Sequence, residues 1–490
     1  IGCGGKEAAG SASTAESSME AAEKTAGGEE KDAAVKEQPI EIRFFSQYDS
    51  EKETEVSKFI VSEMEKDLNI KLIRDEVPAS GYSERLQLAM SDGDYPDAFV
   101  FNSHTDPLLL SAVTDGLVIP VNQLLENGDY PYLEKYTYEG AWEAAKVLND
   151  DNIYLIPRCT VSRYDGFAVR EDWLNNIGFE FSSDDNSVTK EEFLQIMEEF
   201  TENDPDGDGS ANSFGLIMET DTTGNIAPLF AGAFNCLGWQ DSEGEFPYMD
   251  AAYEIGNESY KELLEYNQKI YKYAHPDSIV TAGDNKLPLF YAGQSGAIGC
   301  FAGHVADREK KLKEVTPNGK LTYISGVTND EGILQGSTAY PGIWGGIAIT
   351  SECEHPEKVL EIMNWLLSDK GWEYCLWGQP GVTYDKDENG KRKIIDADQY
   401  QETKLYSWAT IIARRKEDTD FFVDLSLTEE ELLEVRSWLN TAVDAVRFPK
   451  NYGKTPEIAT DTAFIEAENK RKETLTKIIM GAMSVDEYDT

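Results

Sequence analysis

The sequence predicts an α/β protein built on a largely parallel sheet. Three apolar strand patterns (40–48, 69–77 and 96–103) alternate with two amphipathic helix patterns (50–68 and 83–93). Parallel strands need a crossover between them, so a strand–helix–strand rhythm predicts a parallel sheet with helices on its faces. Ligands of such sheets lie beyond the carboxyl ends of the strands. Polar or aromatic residues occupy those ends: Gln47 and Tyr48 after the first strand, Asn102 and Ser103 after the third.

Individual elements follow from caps and apolar spacing. Ser50 is the predicted N-cap of the first helix, and Thr189 with Glu192 forms a predicted capping box for a helix over 188–204. A second α/β block starts near Arg158. Its further predicted elements are a strand and helix over 164–178, a helix over 259–283, a buried strand in 293–304, a strand and helices over 344–385, and helices at 427–449 and 460–480.

Size and charge restrict the possible partners. The chain has 490 residues, enough for two or three domains, and a formal net charge of -47 with a pI near 4.3. Such a surface repels phosphate backbones, which argues against a nucleic-acid partner. The charge also favours a neutral or cationic ligand over a polyanion, unless a local basic patch overrides it. No apolar run reaches membrane-spanning length.

The first residues resemble the end of a bacterial lipoprotein signal. Cys3 follows Gly2, and the residues up to about Pro39 are almost all Ala, Gly, Ser, Glu and Lys. That composition predicts a disordered tether. We therefore expect Cys3 to carry a diacylglyceryl anchor that holds the protein on the outer face of the bacterial cytoplasmic membrane. The alternative is an unmodified cysteine in a tail.

The other cysteines and the histidines do not suggest a metal centre. Five cysteines remain after Cys3, without a CxxC pair, and the four histidines are dispersed. This spacing predicts neither a disulfide framework nor a zinc site, and most of these cysteines are expected in the core.

An acidic loop, NDPDGDGSANSFG (203–215), has the spacing of a calcium loop. With Asp204 as position 1, Asp206 and Asp208 take positions 3 and 5, and Gly209 the turn at position 6. Ser210 and Asn212 could add oxygens at positions 7 and 9. The final glutamate of an EF-hand is replaced by Gly215, so we expect a structural calcium ion of weak affinity, on the order of 10⁻⁴–10⁻³ M. The alternative is an Asp/Gly turn without metal.

A second acidic stretch, DKDENGKRKIID (385–396), favours a hairpin instead. Lys391, Arg392 and Lys393 place positive charge among its acids, and Asn389-Gly390 is a hairpin turn signal.

Several phrases in a fixed order resemble one family. They are VREDWLNNIG, the DPDGDG loop, YKELLEYNQKIYKYAHPDSIVTA, LFYAGQSGAIG, HPEKVLEIMNWLLSDKGWEYCLWGQPGVTYD and IIMGAMSVDEYD. The chain from about residue 40 onward resembles the family 1 extracellular solute-binding lipoproteins of ABC importers, in particular the oligosaccharide-binding branch that includes alginate-binding proteins.

The resemblance implies a two-lobed fold of the periplasmic-binding type (type II-like), with added C-terminal helices and a hinge between the lobes. The first lobe would hold 40–158 and 344–400, and the second 159–343 and 401–490, with the acidic loop. The implied role is that of a monomer, and not an enzyme, that delivers an oligosaccharide to a membrane permease.

Sugar rings offer hydroxyls and an apolar face, so their sites need aromatic platforms and planar polar groups. Candidates come from strand ends and predicted lobe crossings. They are Trp344, Trp239, Tyr48, Gln47, Asn102, Ser103, Arg163, Tyr164, His304 and Tyr340. Trp344 and Trp239 rank first. Flanking glycines leave room beside the Trp344 indole at a predicted lobe crossing, and Trp239 lies in a loop context. Trp173 and Trp365 lie in helix patterns and are expected in the core.

Two alternatives stay open from the sequence. A peptide or another small solute could replace the sugar as ligand. A secreted glycoside hydrolase would need two carboxylates about 5–9.5 Å apart, which a chain with 91 acidic residues could supply. The sequence contains no GxSxG or HExxH motif.

Overall fold

The computed structural model describes residues 38–48, 54–148, 150–210, 212–220, 226, 228–242, 247–281, 283–337, 342–404, 413–416, 418–448, 450 and 461–489. The tether, Cys3 and Tyr340 lie outside these residues, so the predictions made for them are not addressed by it.

The amino-terminal rhythm of strands and helices is confirmed. Its elements are β1 (Ile40–Tyr48), α1 (Glu55–Leu68), β2 (Ile70–Pro78), α2 (Tyr82–Asp92) and β3 (Ala98–Phe101). β1 pairs in parallel with β2 on one side and with β3 on the other. The carboxyl ends of all three strands therefore meet at one edge of the sheet.

The predicted start of the first helix is wrong. Ser50 lies outside the described residues, and α1 begins at Glu55 with Thr54 as its N-cap. The Thr54 hydroxyl accepts a hydrogen bond from the Ser57 amide at 3.1 Å, which satisfies one of the free N–H groups of the first turn. Both Ser50 and Thr54 are good caps by residue type, and the sequence alone did not separate them.

Four short helices follow and lead to the last strand of this region. They are α3 (Pro107–Thr114), α4 (Asn122–Asn127), α5 (Pro131–Tyr136) and α6 (Glu139–Ala144), and β4 (Ile156–Cys159) comes next. Asp106 caps α3 and Pro107 occupies its first turn, a combination that favours a helix start.

The middle of the chain forms a second α/β region. Its elements are β5 (Gly166–Arg170), α7 (Glu171–Ile177), β6 (Ser187–Val188), α8 (Lys190–Glu202), β7 (Phe214–Ile217), β8 (Gln240–Asp241), β9 (Tyr248–Met249), α9 (Glu258–Tyr271), α10 (Leu287–Tyr291), β10 (Ser295–Cys300), α11 (Val305–Leu312), β11 (Leu321–Ile324), β12 (Gly326–Val327) and β13 (Gly336–Ser337).

Two helix predictions in this region have different outcomes. The capping box of α8 is confirmed, since the Thr189 hydroxyl accepts from the Glu192 amide at 3.1 Å and the Glu192 carboxylate accepts from the Thr189 amide at 2.8 Å. The helix predicted over 259–283 is too long. It ends at Tyr271, and Pro276 opens a separate 3₁₀ turn capped by His275. Proline disfavours helical conformation in the residue before it, which the apolar spacing did not reveal.

The chain then returns to the first region and ends in helices. These elements are β14 (Ile343–Ile349), α12 (Pro356–Leu367), α13 (Asp369–Trp377), β15 (Tyr384–Lys386), β16 (Arg392–Ile394), α14 (Ala397–Lys404), α15 (Glu429–Asp444), β17 (Val446–Arg447) and α16 (Thr462–Ile479). The predicted hairpin over 385–396 is confirmed by the antiparallel pairing of β15 with β16.

Two main sheets organise the molecule. The first has the strand order β2-β1-β3-β14-β4, and β14 runs antiparallel to both of its neighbours. The second has the order β11-β5-β10-β7, in which β5 runs antiparallel to β10 and β11 while β7 runs parallel to β10. In each sheet all strands but one run in the same direction, so each sheet is mixed and has an edge where most carboxyl ends gather.

Separate apolar cores surround the two sheets. Ile42 and Phe44 of β1 pack with Trp365 and Trp372 in the first core. Trp173, predicted to lie in the core, is fully buried near the second sheet. Most cysteines are also core residues as predicted, since Cys159, Cys236, Cys300 and Cys375 are buried and Cys353 is half-buried. Among the described residues, no helix has both the length and the apolar character needed to cross a bilayer.

Candidate ligand-binding site

The edge of the first sheet brings two predicted residues into direct contact. Gln47 lies near the end of β1, and Asn102 directly follows β3. The Asn102 side-chain amide donates a hydrogen bond to the Gln47 Oε1 atom at 2.8 Å. Both side chains are half-buried, so each retains surface from which it can contact a ligand.

Arg158 connects this pair with Trp344. Arg158 lies in β4, is only 2% exposed, and donates from Nη2 to the Asn102 Oδ1 atom at 3.2 Å. Its Nε donates to the Trp344 carbonyl oxygen at 2.7 Å. Gly345 follows with φ +71° and packs so closely on β3 that a Cβ atom would lie 1.9 Å from the Phe101 carbonyl oxygen. A glycine is required there, and the resulting turn in β14 places Trp344 beside Arg158.

Trp344 is exposed although buried guanidinium groups contact it. The residue is 43% exposed. The Arg158 guanidinium carbon lies 4.9 Å from the centre of the indole ring, and that of Arg414 lies at 4.4 Å. Such cation–π contacts hold the indole in place while leaving surface for stacking.

The edge of the second sheet carries a second group of predicted residues. Gly166, the first residue of β5, pairs with Cys300, the last residue of β10, so Arg163 and Phe301 lie at the same edge. The Arg163 guanidinium carbon is 3.9 Å from the Phe301 ring centre, and its Nε is 2.9 Å from Asp165. His304 is exposed and meets the Phe301 ring edge-on at 5.0 Å.

A short segment after α14 joins the two edges. Arg414, which contacts Trp344, lies 4.6 Å from the Phe421 ring centre. The Phe421 and Phe422 rings meet at 5.0 Å, and Phe422 lies 5.1 Å from Phe301 and 4.8 Å from Arg163. We call this series the arginine–aromatic chain; its members are Arg158, Trp344, Arg414, Phe421, Phe422, Phe301 and Arg163. It links Gln47, Asn102, Trp344, Arg163 and His304 through continuous contacts.

Other predicted residues have contacts outside this series. The Trp239 ring stacks on Tyr253 at 5.7 Å. The Tyr164 ring packs against the backbone of Gly326 and Gly336. The Ser103 hydroxyl is paired with that of Thr105 at 2.8 Å. Tyr48 is half-buried at the end of β1. Their roles as ligand contacts stay predictions.

Sequence reasoning missed five members of the arginine–aromatic chain: Arg158, Phe301, Arg414, Phe421 and Phe422. An arginine inside the apolar strand IPRC was one available signal, because a buried charge needs several partners. The adjacent Phe421 and Phe422 in an otherwise acidic stretch were another. Neither signal states which residues from distant parts of the chain would meet.

The acidic loop converges as its spacing predicted. One carboxylate oxygen from each of Asp204, Asp206 and Asp208 lies within 4.8 Å of the others, and all three residues are exposed. Gly209 has φ +80°, which permits the turn required at position 6. Partial burial and the neighbouring carboxylates of Asp204 and Asp208 raise the pKa of Asp206. Oxygen donors that repel one another at this distance suit a hard cation such as Ca²⁺.

The last position of the loop cannot supply a side chain. A Cβ atom on Gly215 would lie 2.7 Å from the Met197 carbonyl oxygen, so the backbone of α8 excludes the glutamate found there in an EF-hand. The donor set therefore fits calcium with fewer ligands than a sensor loop, consistent with the weak affinity expected from the sequence.

The second acidic stretch is held by ion pairs rather than arranged for a metal. Glu373 of α13 accepts hydrogen bonds from Arg392 and Tyr384 and forms an ion pair with Lys386. These partners, Arg392 foremost, lower the pKa of Glu373 to about 2. The hairpin thus anchors to α13 through its charged residues.

The comparisons with known proteins identify the class of this protein. Residues 49–371 match the family described as bacterial extracellular solute-binding protein. The match covers more than half of the chain, which therefore belongs to this family. The resemblance seen in the sequence is confirmed.

A relative agrees with the assignment, and two solved structures share the fold. The chain is 26% identical over 356 residues to the polygalacturonan/rhamnogalacturonan-binding protein YtcQ of Bacillus subtilis (strain 168). The aligned region covers 67% of this chain and 64% of YtcQ, just under two thirds of that relative. Alginate-binding protein AlgQ2, solved without calcium ion, superimposes with a TM-score of 0.65 at 19% identity, covering 94% of this chain and 96% of that one. An EF-hand mutant of the Streptococcus pneumoniae ABC-transporter substrate-binding protein FusA, in complex with fructo-nystose, gives a TM-score of 0.63 at 18% identity, covering 92% and 94%. The chain has the two-lobed α/β fold of periplasmic-binding proteins.

Proposed function

We propose that this protein captures an oligosaccharide between its two lobes and delivers it unchanged to an ABC importer. The observation that carries the proposal is the arginine–aromatic chain, which joins the ligand edges of both sheets. It combines an exposed indole platform with guanidinium and amide groups, the combination that sugar rings require. YtcQ and FusA, which are named for saccharide ligands, give further support.

We propose the lobes assigned from the sequence, with 40–158 and 344–400 in the first and 159–343 and 401–490 in the second, apart from the stretch around Ala413 and Phe421, which packs with the first core. The strands of the two sheets support this division, since β1 to β4 and β14 share one sheet while β5, β7, β10 and β11 share the other. The ligand closes the lobes by a hinge motion, and the closed form docks on the permease.

The ligand we propose is neutral. A chain with a net charge of -47 repels a polyanion over distances up to about the Debye length, roughly 8 Å at physiological salt. The guanidinium groups of Arg158 and Arg414 still serve as donors to hydroxyl and ring oxygens.

We place the protein outside the cytoplasm, attached to the outer face of the cytoplasmic membrane by a lipid on Cys3, and acting as a monomer. The proposal rests on the Gly2-Cys3 sequence followed by a low-complexity tether. The family, described as extracellular, agrees with this location.

A calcium ion in the acidic loop completes the proposal. The carboxylates of Asp204, Asp206 and Asp208 would hold it, with Asn212 and the Ser210 carbonyl as further donors. The ion would neutralise the converging charges and stiffen the loop. It would take part in no chemical step.

Calorimetry on the protein without residues 1–39 tests the ligand class. We expect heat of binding from neutral oligosaccharides such as kestose, and weaker or no binding from oligogalacturonides and short peptides. A peptide that binds while every saccharide fails would contradict the proposal. Labelled oligosaccharide incubated with the protein should be recovered at its original length, and shortened product would instead support a glycoside hydrolase.

A further inference from the structure

Glu219 lies at the ligand edge of the second sheet, although neither its spacing nor its residue type marked it in the sequence. β7 and β10 are parallel, and Ile217 at the end of β7 pairs with Ile298 of β10. Glu219 is two residues beyond Ile217 and therefore level with Cys300, the residue that pairs with Gly166. This register puts Glu219 at the same edge as Arg163 and Phe301.

A buried lysine fixes one oxygen of this carboxylate. Lys286 is only 3% exposed and donates to the Glu219 Oε2 atom at 3.0 Å and to the Met218 carbonyl oxygen at 3.4 Å. An ammonium group taken out of water needs a counter-ion close to it. Lys286 therefore holds the Glu219 side chain in one orientation before any ligand arrives.

The second oxygen lies over a strand that leaves room for it. A Cβ atom on Gly299 would lie 2.6 Å from Glu219 Oε1, so the absence of a side chain in β10 makes room for the carboxylate over the strand. The Glu219 side chain is 40% exposed. Within the described part of the chain, Oε1 receives no hydrogen bond.

We infer that Glu219, held by Lys286 and given room by Gly299, accepts hydrogen bonds from hydroxyl groups of a neutral sugar residue in the second lobe. The inference rests on the proposed function and adds a specificity-determining residue to it. An ionised carboxylate is only an acceptor, so it takes hydroxyl donors and repels a carboxylated sugar at the same position.

Titration of kestose and of trigalacturonate into Glu219→Gln and Gly299→Ala by calorimetry tests this role. We expect Glu219→Gln to weaken kestose binding about tenfold, because the charged acceptor of the sugar hydroxyls is replaced by a neutral amide. Any affinity for trigalacturonate should be unchanged or increase. Gly299→Ala should weaken kestose binding in the same direction, since the new methyl group displaces Oε1 while the charge pair remains. The matched control is Glu314→Gln, which removes an exposed carboxylate paired with Lys311 and should leave both affinities unchanged.

Melting temperatures separate this role from a purely structural one. If Glu219 only neutralises Lys286, Glu219→Gln lowers the melting temperature, Lys286→Met in the same chain restores it, and kestose affinity never changes. That result, or wild-type protein that binds trigalacturonate but not kestose, overturns the inference and leaves a saccharide-binding function in place. Wild-type protein that binds neither sugar and binds a peptide overturns the proposed function itself.

Discussion

Trp344 shows how neighbouring side chains prepare a residue for ligand contact. An exposed indole loses conformational freedom when a ligand stacks on it, and that loss reduces affinity. Arg158 and Arg414 already hold the ring, and Arg158 also binds the Trp344 carbonyl oxygen. The Trp344 side chain has therefore lost most of its conformational freedom before a ligand binds, which favours Trp344 as the main stacking platform.

Removal of each candidate platform should weaken binding without unfolding the protein. We expect Trp344→Ala to lower oligosaccharide affinity about tenfold, because the stacking contact is lost. Trp239→Ala should also lower it, although the Trp239 ring already stacks on Tyr253. Calorimetry and circular dichroism measure the two effects, and Leu88→Ala, at an exposed position on α2, is the control. Normal binding by both tryptophan variants would show that the site is elsewhere.

Two adjacent arginines offer a matched comparison. Arg414 contacts the rings of Trp344 and Phe421. Arg415 instead lies 3.9 Å from the Tyr136 ring centre and donates to the Leu367 carbonyl oxygen and to Asp369. The first therefore belongs to the proposed site and the second to the packing of the first sheet's helices.

Arg414→Met should weaken oligosaccharide affinity about three- to tenfold, as expected for the loss of a cation–π contact beside the platform. Arg415→Met should leave affinity unchanged and lower the free energy of unfolding by about 1 kcal/mol, because its hydrogen bonds are lost. Calorimetry and urea denaturation measure the two quantities. Equal losses of affinity in both variants would indicate that Arg414 affects binding only through the stability of the fold.

At the scale of elements, the acidic loop and the 385–396 hairpin show that similar residue patterns reach different structures. The loop directs three carboxylates toward one point. In the hairpin, Asp387 instead accepts from the Asn389 and Lys391 amides and closes the turn. The difference lies in the nearby basic residues and in the Asn389-Gly390 turn, which the sequence displayed.

Calcium should stabilise the protein through the loop alone. At a tenfold excess of ion over the dissociation constant, binding contributes about 1.4 kcal/mol, so chelation should lower the melting temperature by a few degrees. Asp206→Asn should abolish this calcium-dependent shift, whereas Asp387→Asn, the matched control in the hairpin, should retain it. Differential scanning fluorimetry with and without chelator measures both. Identical melting with and without calcium would exclude the ion from the loop, and oligosaccharide affinity should survive chelation.

At the scale of the whole molecule, the segment after α14 is shared by the two cores. Ala413 and Phe421 belong to the first core, whereas Phe422 and Val423 pack with the second. The change from one core to the other falls between two consecutive residues. A displacement of one sheet relative to the other would therefore change the contacts of Phe421 and Phe422, next to the proposed ligand.

Closure around a ligand should be visible in solution. We expect small-angle scattering to give a smaller radius of gyration when oligosaccharide saturates the protein lacking residues 1–39, because the lobes approach each other. The Trp344→Ala variant should show this decrease only at higher ligand concentration. An unchanged radius at saturation, with binding confirmed by calorimetry, would contradict a hinge mechanism.

The sequence by itself determined the local features of this protein. Alternating strands and helices between Ile40 and Phe101, the capping box at Thr189, the hairpin at Asn389-Gly390 and the convergence of the acidic loop all depend on residues close together in the chain. Local hydrogen bonding and turn chemistry control such features, so the residue types suffice to predict them.

The tertiary structure alone decided which distant residues form the site. Arg158, Trp344 and Arg414 come from three separate segments, and only strand register and the path of the chain between two cores bring them together. The same holds for Glu219, Lys286 and Gly299. Side-chain pairing across a sheet depends on register and packing rather than on the local pattern, which is why the sequence predicted the edges but not these partners.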